Sequence, residues 1–494
     1  MLKIEEYRKH IDALDYEIKS LLIKRLDYCK KIGLVKAQNG LSVEVKEREE
    51  EILSRLTSRE NQENSEYIEK VYQTIFYQTK NAQKTVGKKL KACLVGANLT
   101  HSLSPKIHEF FGTEYTLEEL PLCGFKEFFN NNEYSCYNVT MPFKEEAEDL
   151  LNEVSSVAND IGSVNTVMVK NGKKWGYNTD IDGLNYLFSD NNVSLGGKKV
   201  MILGTGGTSK TAQTLVKRNG GECVVVGRNE KINYLNYQNH CDVEILINTA
   251  PVGIDGKSCL VDINKLPKLE FVADVLYYPL KTPLLSACEK RGIKSEGGLK
   301  MLVYQALKAE EIWQDKNFEA DFCKAYKHTL YGYKNIVLTG MPSCGKSVMG
   351  RLVAEKLKMK FIDTDEEIEK VFGLSPEKII SESGEEQFRK LESEIIDKIS
   401  METGAVIATG GGSVIKRENR EFLKRNGVIC YVLRPVDLLS TEKRPLSKTF
   451  GVEELFKNRK EAYESSCDFT VQNDGMITDC VGRIIDEYEK HLDN

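Results

Sequence analysis

The sequence predicts a multidomain chain, an all-α N-terminal segment followed by two α/β parts, and three observations carry that expectation. Residues 1 to about 84 keep a helical period, with Glu, Lys and Arg abundant and proline absent. From KKLKACLVG at 88–96 onward, short apolar strands alternate with helical stretches. Two separate units of strand, glycine-rich loop and helix recur, at 199–217 and 335–357. A chain of 494 residues fits about three domains at ~150 residues each. The composition shifts near Gly87 and again at a short linker, YGYKN, around 331–335.

Composition narrows the function classes. Hydrophobic residues make up 41% and charged residues 29%, which is ordinary for a globular protein, and the net charge is −5. With no global basic field, nucleic acid and anionic membrane are not expected partners, whereas small anions can meet local basic pockets. MLKIEEYRKH is charged and helical rather than a signal peptide, and no apolar run reaches the ~18 residues of a membrane span, so the expected location is the cytoplasm. Thirteen cysteines without a C-x-x-C pair point to reduced thiols rather than disulfides or a metal. Cys344, inside the second glycine-rich loop, is expected to be exposed, either as an oxidation-sensitive thiol or as a small loop residue without special role.

In the helical segment, Ile4, Ile11, Leu14, Ile18, Leu21 and Leu22 form an apolar stripe, while Arg8, Arg25, Lys36 and Arg48 punctuate the helices with cations. On residue types alone this is a dimerisation arm whose charges face water. EEYRKHIDALDYEIKSLLIKR, the step from Gly33 to Lys36, KERE at 46–49 and EYIEKVYQTIFYQTKNAQ keep the register of the all-α chorismate mutases, which residues 1–84 resemble. The resemblance implies that Arg8, Arg25 and Arg48 clasp the two carboxylates of chorismate, that Lys36 and Gln83 address its ether oxygen, and that Glu49 takes its ring hydroxyl. It also implies an intertwined homodimer in which Arg8 reaches into the partner's site. A pericyclic rearrangement of this kind needs a folded substrate and donors aimed at the oxygen where charge develops, not a nucleophile. Val45 stands where an aspartate is expected, and Thr79 where serine is frequent.

KKVMILGTGGTSKTAQTLV is a dinucleotide signal of the Rossmann type. Gly204 permits the tight turn, Gly206 and Gly207 let backbone approach a pyrophosphate, and Ser209 takes the place of the third glycine. The next strand, CVVVG, ends in Arg228 and Asn229. A guanidinium there suits a 2′-phosphate, hence NADP, although a surface arginine beside a turn is the bland reading. HSLSP, NVTMPFKE, IGSVNTV and NTDIDG precede the loop, and INTAPVG, DVLYYP and GGLKMLVYQA follow it. In that order they resemble shikimate dehydrogenase over residues 88–329. The resemblance implies substrate contacts at Ser102, Ser104, Thr140, Asn165, Thr179 and Gln305, and a catalytic pair of Lys144 and Asp180. Hydride delivery to a ketone makes a developing alkoxide, which an ammonium beside a carboxylate can protonate.

GMPSCGKS at 340–347 follows the apolar run NIVL and opens a helix. Backbone N–H groups from Gly340 to Gly345 can cradle phosphates, Lys346 can reach the outer ones, and the Ser347 hydroxyl can hold Mg²⁺, so a nucleoside triphosphate is expected. FIDTD reads as a strand ending in two carboxylates, Asp363 and Asp365. With GEEQFRKLE, AVIATGGG, KRPL and NRKEAY, residues 334–494 resemble shikimate kinase. That implies shikimate held by Asp365, Arg389, Gly411, Gly412 and Arg459, support for Mg²⁺ from Asp363, and Arg444 closing a lid over the ATP phosphates. Only ten residues separate Leu433 from Arg444, so the lid approach is short.

The expected enzyme is trifunctional: a chorismate mutase at 1–86, a dehydrogenase at 88–329 that reduces 3-dehydroshikimate with NADPH, and an ATP- and Mg²⁺-dependent shikimate kinase at 334–494. Within the second, the substrate part is expected at about 88–184 and 298–329 and the NADP part at about 185–297. Two alternatives stay open: a helical module that only senses ligand and dimerises, and a kinase domain reduced to binding.

Overall fold

A computed structural model of the protein describes residues 2–38, 41–42, 46–85, 90–131, 134–439 and 451–492. Val45, Gly87 and Arg444, each singled out above, lie outside the described residues. The chain divides into two compact units, Met1–Leu90 and Lys91–Asn494.

The first unit consists of α1 (Leu2–Gln38), α2 (Lys46–Thr57) and α3 (Gln62–Thr85). Helix α3 packs on both others. The α1 to α3 approach is close because Gly33 has no side chain: a Cβ there would lie 3.1 Å from the Gln83 Cα. Phe76 is buried beneath the Arg25 guanidinium, 5.8 Å from its ring centroid. The apolar stripe of α1 stays on the surface, with Ile11 and Leu14 more than half exposed.

In the second unit, sixteen strands of the described residues form three sheets. The first contains β1 (Lys91–Gly96), β2 (Glu114–Glu119), β3 (Cys136–Val139), β4 (Glu153–Val154), β5 (Thr166–Lys170) and β6 (Lys173–Tyr177), in the order β2-β1-β3-β5-β6-β4. Its β1 to β3 pairs are parallel, and β5 pairs antiparallel with both neighbours. The second contains β7 (Lys199–Leu203), β8 (Glu222–Val226), β9 (Ile245–Asn248), β10 (Phe271–Asp274) and β11 (Lys294–Gly297), all parallel in the order β11-β10-β9-β7-β8. The third contains β12 (Asn335–Thr339), β13 (Lys360–Asp363), β14 (Ala405–Ala408), β15 (Gly427–Leu433) and β16 (Phe469–Gln472), all parallel in the order β13-β14-β12-β15-β16. Strands β9, β10, β12 and β14 are buried at every position. Continuous burial, rather than alternation, is what helices on both faces of a parallel sheet produce.

The chain leaves the first sheet through the helix Asp180–Asp190 and builds the second. It then returns through the helix Leu299–Gln314, which packs back onto Asp180–Asp190. The linker at 331–334 is a packed joint. Gly332 N donates to the Tyr488 hydroxyl at 3.2 Å, and that hydroxyl donates to Lys334 O at 2.9 Å. Leu330, Ile336 and Tyr488 belong to one continuous apolar core.

Asp274, at the end of β10, is fully buried, accepting from Thr282 Oγ1 at 2.6 Å and Asn248 Nδ2 at 2.9 Å. Burial outweighs those donors and pushes its carboxyl up to about 6. An acid with a raised folded pKa binds more protons in the folded state, so its contribution to stability falls as pH rises from about 4 to about 6. The Tm of wild type minus that of Asp274→Asn is therefore expected to be more favourable to wild type at pH 4.5 than at pH 7, as calorimetry of both proteins would read. An equal difference at both values would disprove it.

Candidate functional site

A cavity of about 450 Å³ opens between the first two sheets, at the carboxyl ends of β1, β3 and β10. Five of the substrate contacts expected from the sequence line it beside Lys144 and Asp180: Ser102, Ser104, Thr140, Asn165 and Gln305. Lys144 sits in the turn after β3, where Phe143 is buried and stacked on Phe125 at 4.6 Å, which directs the lysine into the cavity. Its ammonium lies 2.5 Å from Asp180 Oδ2, and both side chains are about nine-tenths buried. Asp180 opens the helix Asp180–Asp190, and its other oxygen accepts from Asn165 Nδ2 at 2.8 Å. Thr179 is placed differently from a direct contact. Its backbone N–H donates to Asn165 Oδ1 at 2.7 Å and its hydroxyl packs among Asn165, Thr166 and Gln305, so it orients Asn165. Asn138 and Tyr277 also line the cavity and were not singled out, although NVTMPFKE contained the first and DVLYYP the second.

The dinucleotide loop meets this pair. Gly204 has φ +111°, and a Cβ there would lie 2.7 Å from Thr249 Oγ1. A Cβ on Gly206 would meet nothing within 4 Å, which leaves room for a phosphate at the N-terminus of the helix Gly207–Arg218. Ser209 is buried and donates to Gly204 O at 2.7 Å, closing the turn on itself. At Gly207 a Cβ would stand 3.5 Å from Lys144 Cδ, so the loop adjoins this lysine. Arg228 and Asn229 are exposed just beyond β8, and among the described residues the Arg228 guanidinium carries no ion pair. The pyrophosphate cradle and the neighbouring cation fit NADP.

At the third sheet, Gly340, Ser343 and Gly345 take positive φ values of 143°, 66° and 100° and curl the loop between β12 and the helix Lys346–Leu357. Lys346 is buried and donates to Gly340 O at 3.0 Å and Met341 O at 2.9 Å, so its ammonium already spans the loop. Ser347 Oγ lies 2.6 Å from Asp363 Oδ2, a hydroxyl and carboxylate pair fit for Mg²⁺. Asp365 does not end the strand as expected. It sits in the first turn of the helix Thr364–Phe372, because Asp363 caps that helix by accepting from Asp365 N. Cys344 is wholly buried, its carbonyl held by Asn473 Nδ2 at 2.8 Å, which corrects the expected exposure and removes the basis of the oxidation-sensitive alternative, leaving the small loop residue.

Beside that loop a cavity of about 70 Å³ is lined by Asp365, Arg389, Gly411, Gly412 and Arg459. Arg389 contacts Glu385 at 2.8 Å and the buried Glu392 at 3.0 Å. Burial works against its charge, and the two carboxylates more than offset this, leaving its pKa above the ordinary value. Glu392 is in turn held by Ser413 Oγ at 2.7 Å. This second carboxylate was missed, though its i,i+3 spacing from Arg389 in RKLE was a signal. A Cβ on Gly412 would fall 2.2 Å from Arg389 Nη1, so a larger residue there would displace the guanidinium from its present place. Arg459 and Tyr463 both donate to Gly411 O.

In the helical unit, Arg25 Nη1 donates to Thr79 Oγ1 at 2.7 Å, Glu49 pairs with Lys80 at 2.9 Å, and Gln83 is buried against Gly33. Lys36 lies one turn beyond Gly33 on α1. Arg48 pairs with Glu51 at 2.5 Å, and Arg8, near the start of α1, is exposed.

Geometry of this kind belongs to a dinucleotide-dependent α/β oxidoreductase joined to a P-loop phosphotransferase. Residues 7–84 match chorismate mutase type II, residues 94–167 the substrate-binding domain of shikimate dehydrogenase, and residues 342–489 shikimate kinase. The NADP(+) shikimate dehydrogenase of Clostridium perfringens is 34% identical over 263 residues, 47% of this chain and 97% of that protein. Its Staphylococcus epidermidis counterpart is 33% identical over 267 residues, 49% and 96%. The crystal structure of a chorismate mutase/shikimate 5-dehydrogenase fusion protein from Clostridium acetobutylicum aligns at 29% identity and TM-score 0.46, over 49% of this chain and 96% of that one. The chain belongs to the NADP-dependent shikimate dehydrogenase family. It carries chorismate mutase and shikimate kinase domains besides.

Proposed function

We propose that this trifunctional enzyme rearranges chorismate to prephenate, reduces 3-dehydroshikimate to shikimate with NADPH, and phosphorylates shikimate at its 3-hydroxyl with ATP and Mg²⁺. The observation that carries the reading is the Lys144–Asp180 pair, 2.5 Å apart in a cavity that the dinucleotide loop adjoins. NADPH, when bound, supplies the hydride. Lys144 delivers the proton to the developing alkoxide, and Asp180, held by Asn165, keeps the ammonium aimed. In the kinase, Lys346 and the loop amides neutralise phosphate charge, Ser347 and Asp363 would hold Mg²⁺, and Asp365 orients the acceptor hydroxyl for in-line transfer. The product of the dehydrogenase is the substrate of the kinase, and both reactions suit the cytoplasm.

The full-length chain assayed for all three reactions is the direct test. Shikimate-dependent ADP release would exclude a binding-only kinase, and its absence with intact ATP binding would overturn the kinase assignment. Cofactor choice rests on Arg228. Arg228→Asp removes a charge-assisted phosphate contact and adds repulsion, so kcat/KM for NADPH should lose on the order of 2 kcal/mol while NADH is much less affected. Unchanged preference between the two cofactors would sink that role.

The helical unit supports a homodimer. Arg8 and Arg25 are seventeen residues apart on α1, about 26 Å at ~1.5 Å per residue. One small substrate cannot touch both within one chain. The exposed stripe of α1 offers the surface on which a second copy would bring its Arg8 alongside.

A further inference from the structure

Three parts of the second unit converge on one side chain, Tyr278. It follows β10 and therefore belongs to the nucleotide-binding half of the dehydrogenase. Its ring stacks on the imidazole of His101 in the substrate-binding half, with centroids 4.5 Å apart and planes 10° from parallel. His101 and Tyr278 both line the dehydrogenase cavity, next to Ser102. The phenol reaches out of that cavity and donates to Met401 O at 2.8 Å, just beyond the helix Pro376–Ile399 of the kinase. That helix carries Arg389 and Glu392 of the other site.

The contact is one of a set. Leu280 N donates to Asn426 Oδ1 at 2.8 Å and Lys281 N to Arg425 O at 2.9 Å. Arg425 is buried and returns to the end of the same kinase helix, 2.6 Å from Asp397 Oδ1 and 3.0 Å from Ser400 Oγ. Lys257 and Lys290 of the nucleotide half add ion pairs to Asp397 and Glu421 at 2.7 and 2.8 Å. Residues 278–281 are thus held by the kinase at three points, and the ring that projects from them holds the opposite wall of the dehydrogenase cleft. Burial, with Glu402 nearby, raises the Tyr278 pKa, which keeps the phenol a donor.

We propose that Tyr278 is a positioning residue through which the docked kinase holds the two halves of the dehydrogenase closed over the substrate acid. The proposal rests on the dehydrogenase reading above. Opening the cleft must break either the His101 stack or the bond to Met401 O, so loss of the hydroxyl weakens closure without removing a group that touches the reacting atoms. The effect belongs in substrate affinity rather than in the chemical step, and the kinase site, whose helix keeps its other anchors, is left alone.

The experiment uses full-length wild type, Tyr278→Phe and Tyr278→Ala, each assayed for ketone reduction and for shikimate phosphorylation, with Tm recorded. Tyr278→Phe is expected to raise KM for 3-dehydroshikimate about fivefold, the effect of one neutral hydrogen bond. Its kcat should stay within about twofold of wild type. Tyr278→Ala, which also loses the stack, should raise KM further. Kinase KM and kcat should not move. An unchanged KM for the acid in both variants would overturn the proposal. So would a loss of kcat in both reactions together with a lowered Tm, which is what a merely structural role predicts. Failure of wild type to reduce 3-dehydroshikimate would instead remove the dehydrogenase reading itself.

Discussion

Lys144→Met should lower kcat for ketone reduction by roughly 10²- to 10⁴-fold, the usual range for loss of a positioned general acid. Two terms act in the same direction. The proton for the alkoxide is lost, and Asp180 is left in a pocket where about a tenth of its side chain is exposed, with Asn165 as its remaining side-chain donor among the described residues. An unpaired carboxylate there repels the charge that develops in the transition state. For that reason Lys144→Met with Asp180→Asn should lose less than the product of the two single losses. Shikimate phosphorylation should not change, since its site is built from the helices and loops around the third sheet. A Lys144→Met enzyme within tenfold of wild-type kcat would remove this lysine from the reaction.

How legible the sites were depended on whether a residue's role lies in a motif or in a tertiary contact. Lys144, Asn165, Asp180 and Gln305 come from positions far apart in the chain, yet each stood inside a recognisable run of residues, and the structure brings them to one cavity. The strand and glycine-rich loop units were equally visible, because φ values such as +111° at Gly204 and +143° at Gly340 demand glycine. Cys344 read as exposed because loop tips usually are, but this loop curls inward and a Cβ on Gly340 would sit 3.0 Å from the Cys344 sulfur. Asp365 read as the end of a strand, and one capping bond from Asp363 makes it the start of a helix. Glu392 stood in plain view three residues after Arg389, and only its burial behind that arginine was illegible, whereas Tyr278 acts through Met401 O, a partner that nothing local in the sequence announces.

The other large effect is expected in the helical unit, where the proposed site needs two copies of the chain. Arg8→Ala and Arg48→Ala should each be nearly inactive in prephenate formation, because each leaves a substrate carboxylate without its charge-assisted partner in an enclosed pocket. Among the described residues of the single chain, Arg8 meets only Glu5, at 3.4 Å in an exposed pair, and Arg48 meets Glu51. Such exposed pairs contribute little to stability, so both variants should fold. Co-refolding the two inactive full-length proteins then separates a shared site from a private one. Random pairing makes about half of the dimers mixed, and in a mixed dimer one site collects both substitutions while the other collects neither. About a quarter of all sites should be wild type, and activity should return toward that fraction. If mixed dimers form, as mass measurement would show, and no activity returns, Arg8 acts within its own chain or the helices serve only for assembly.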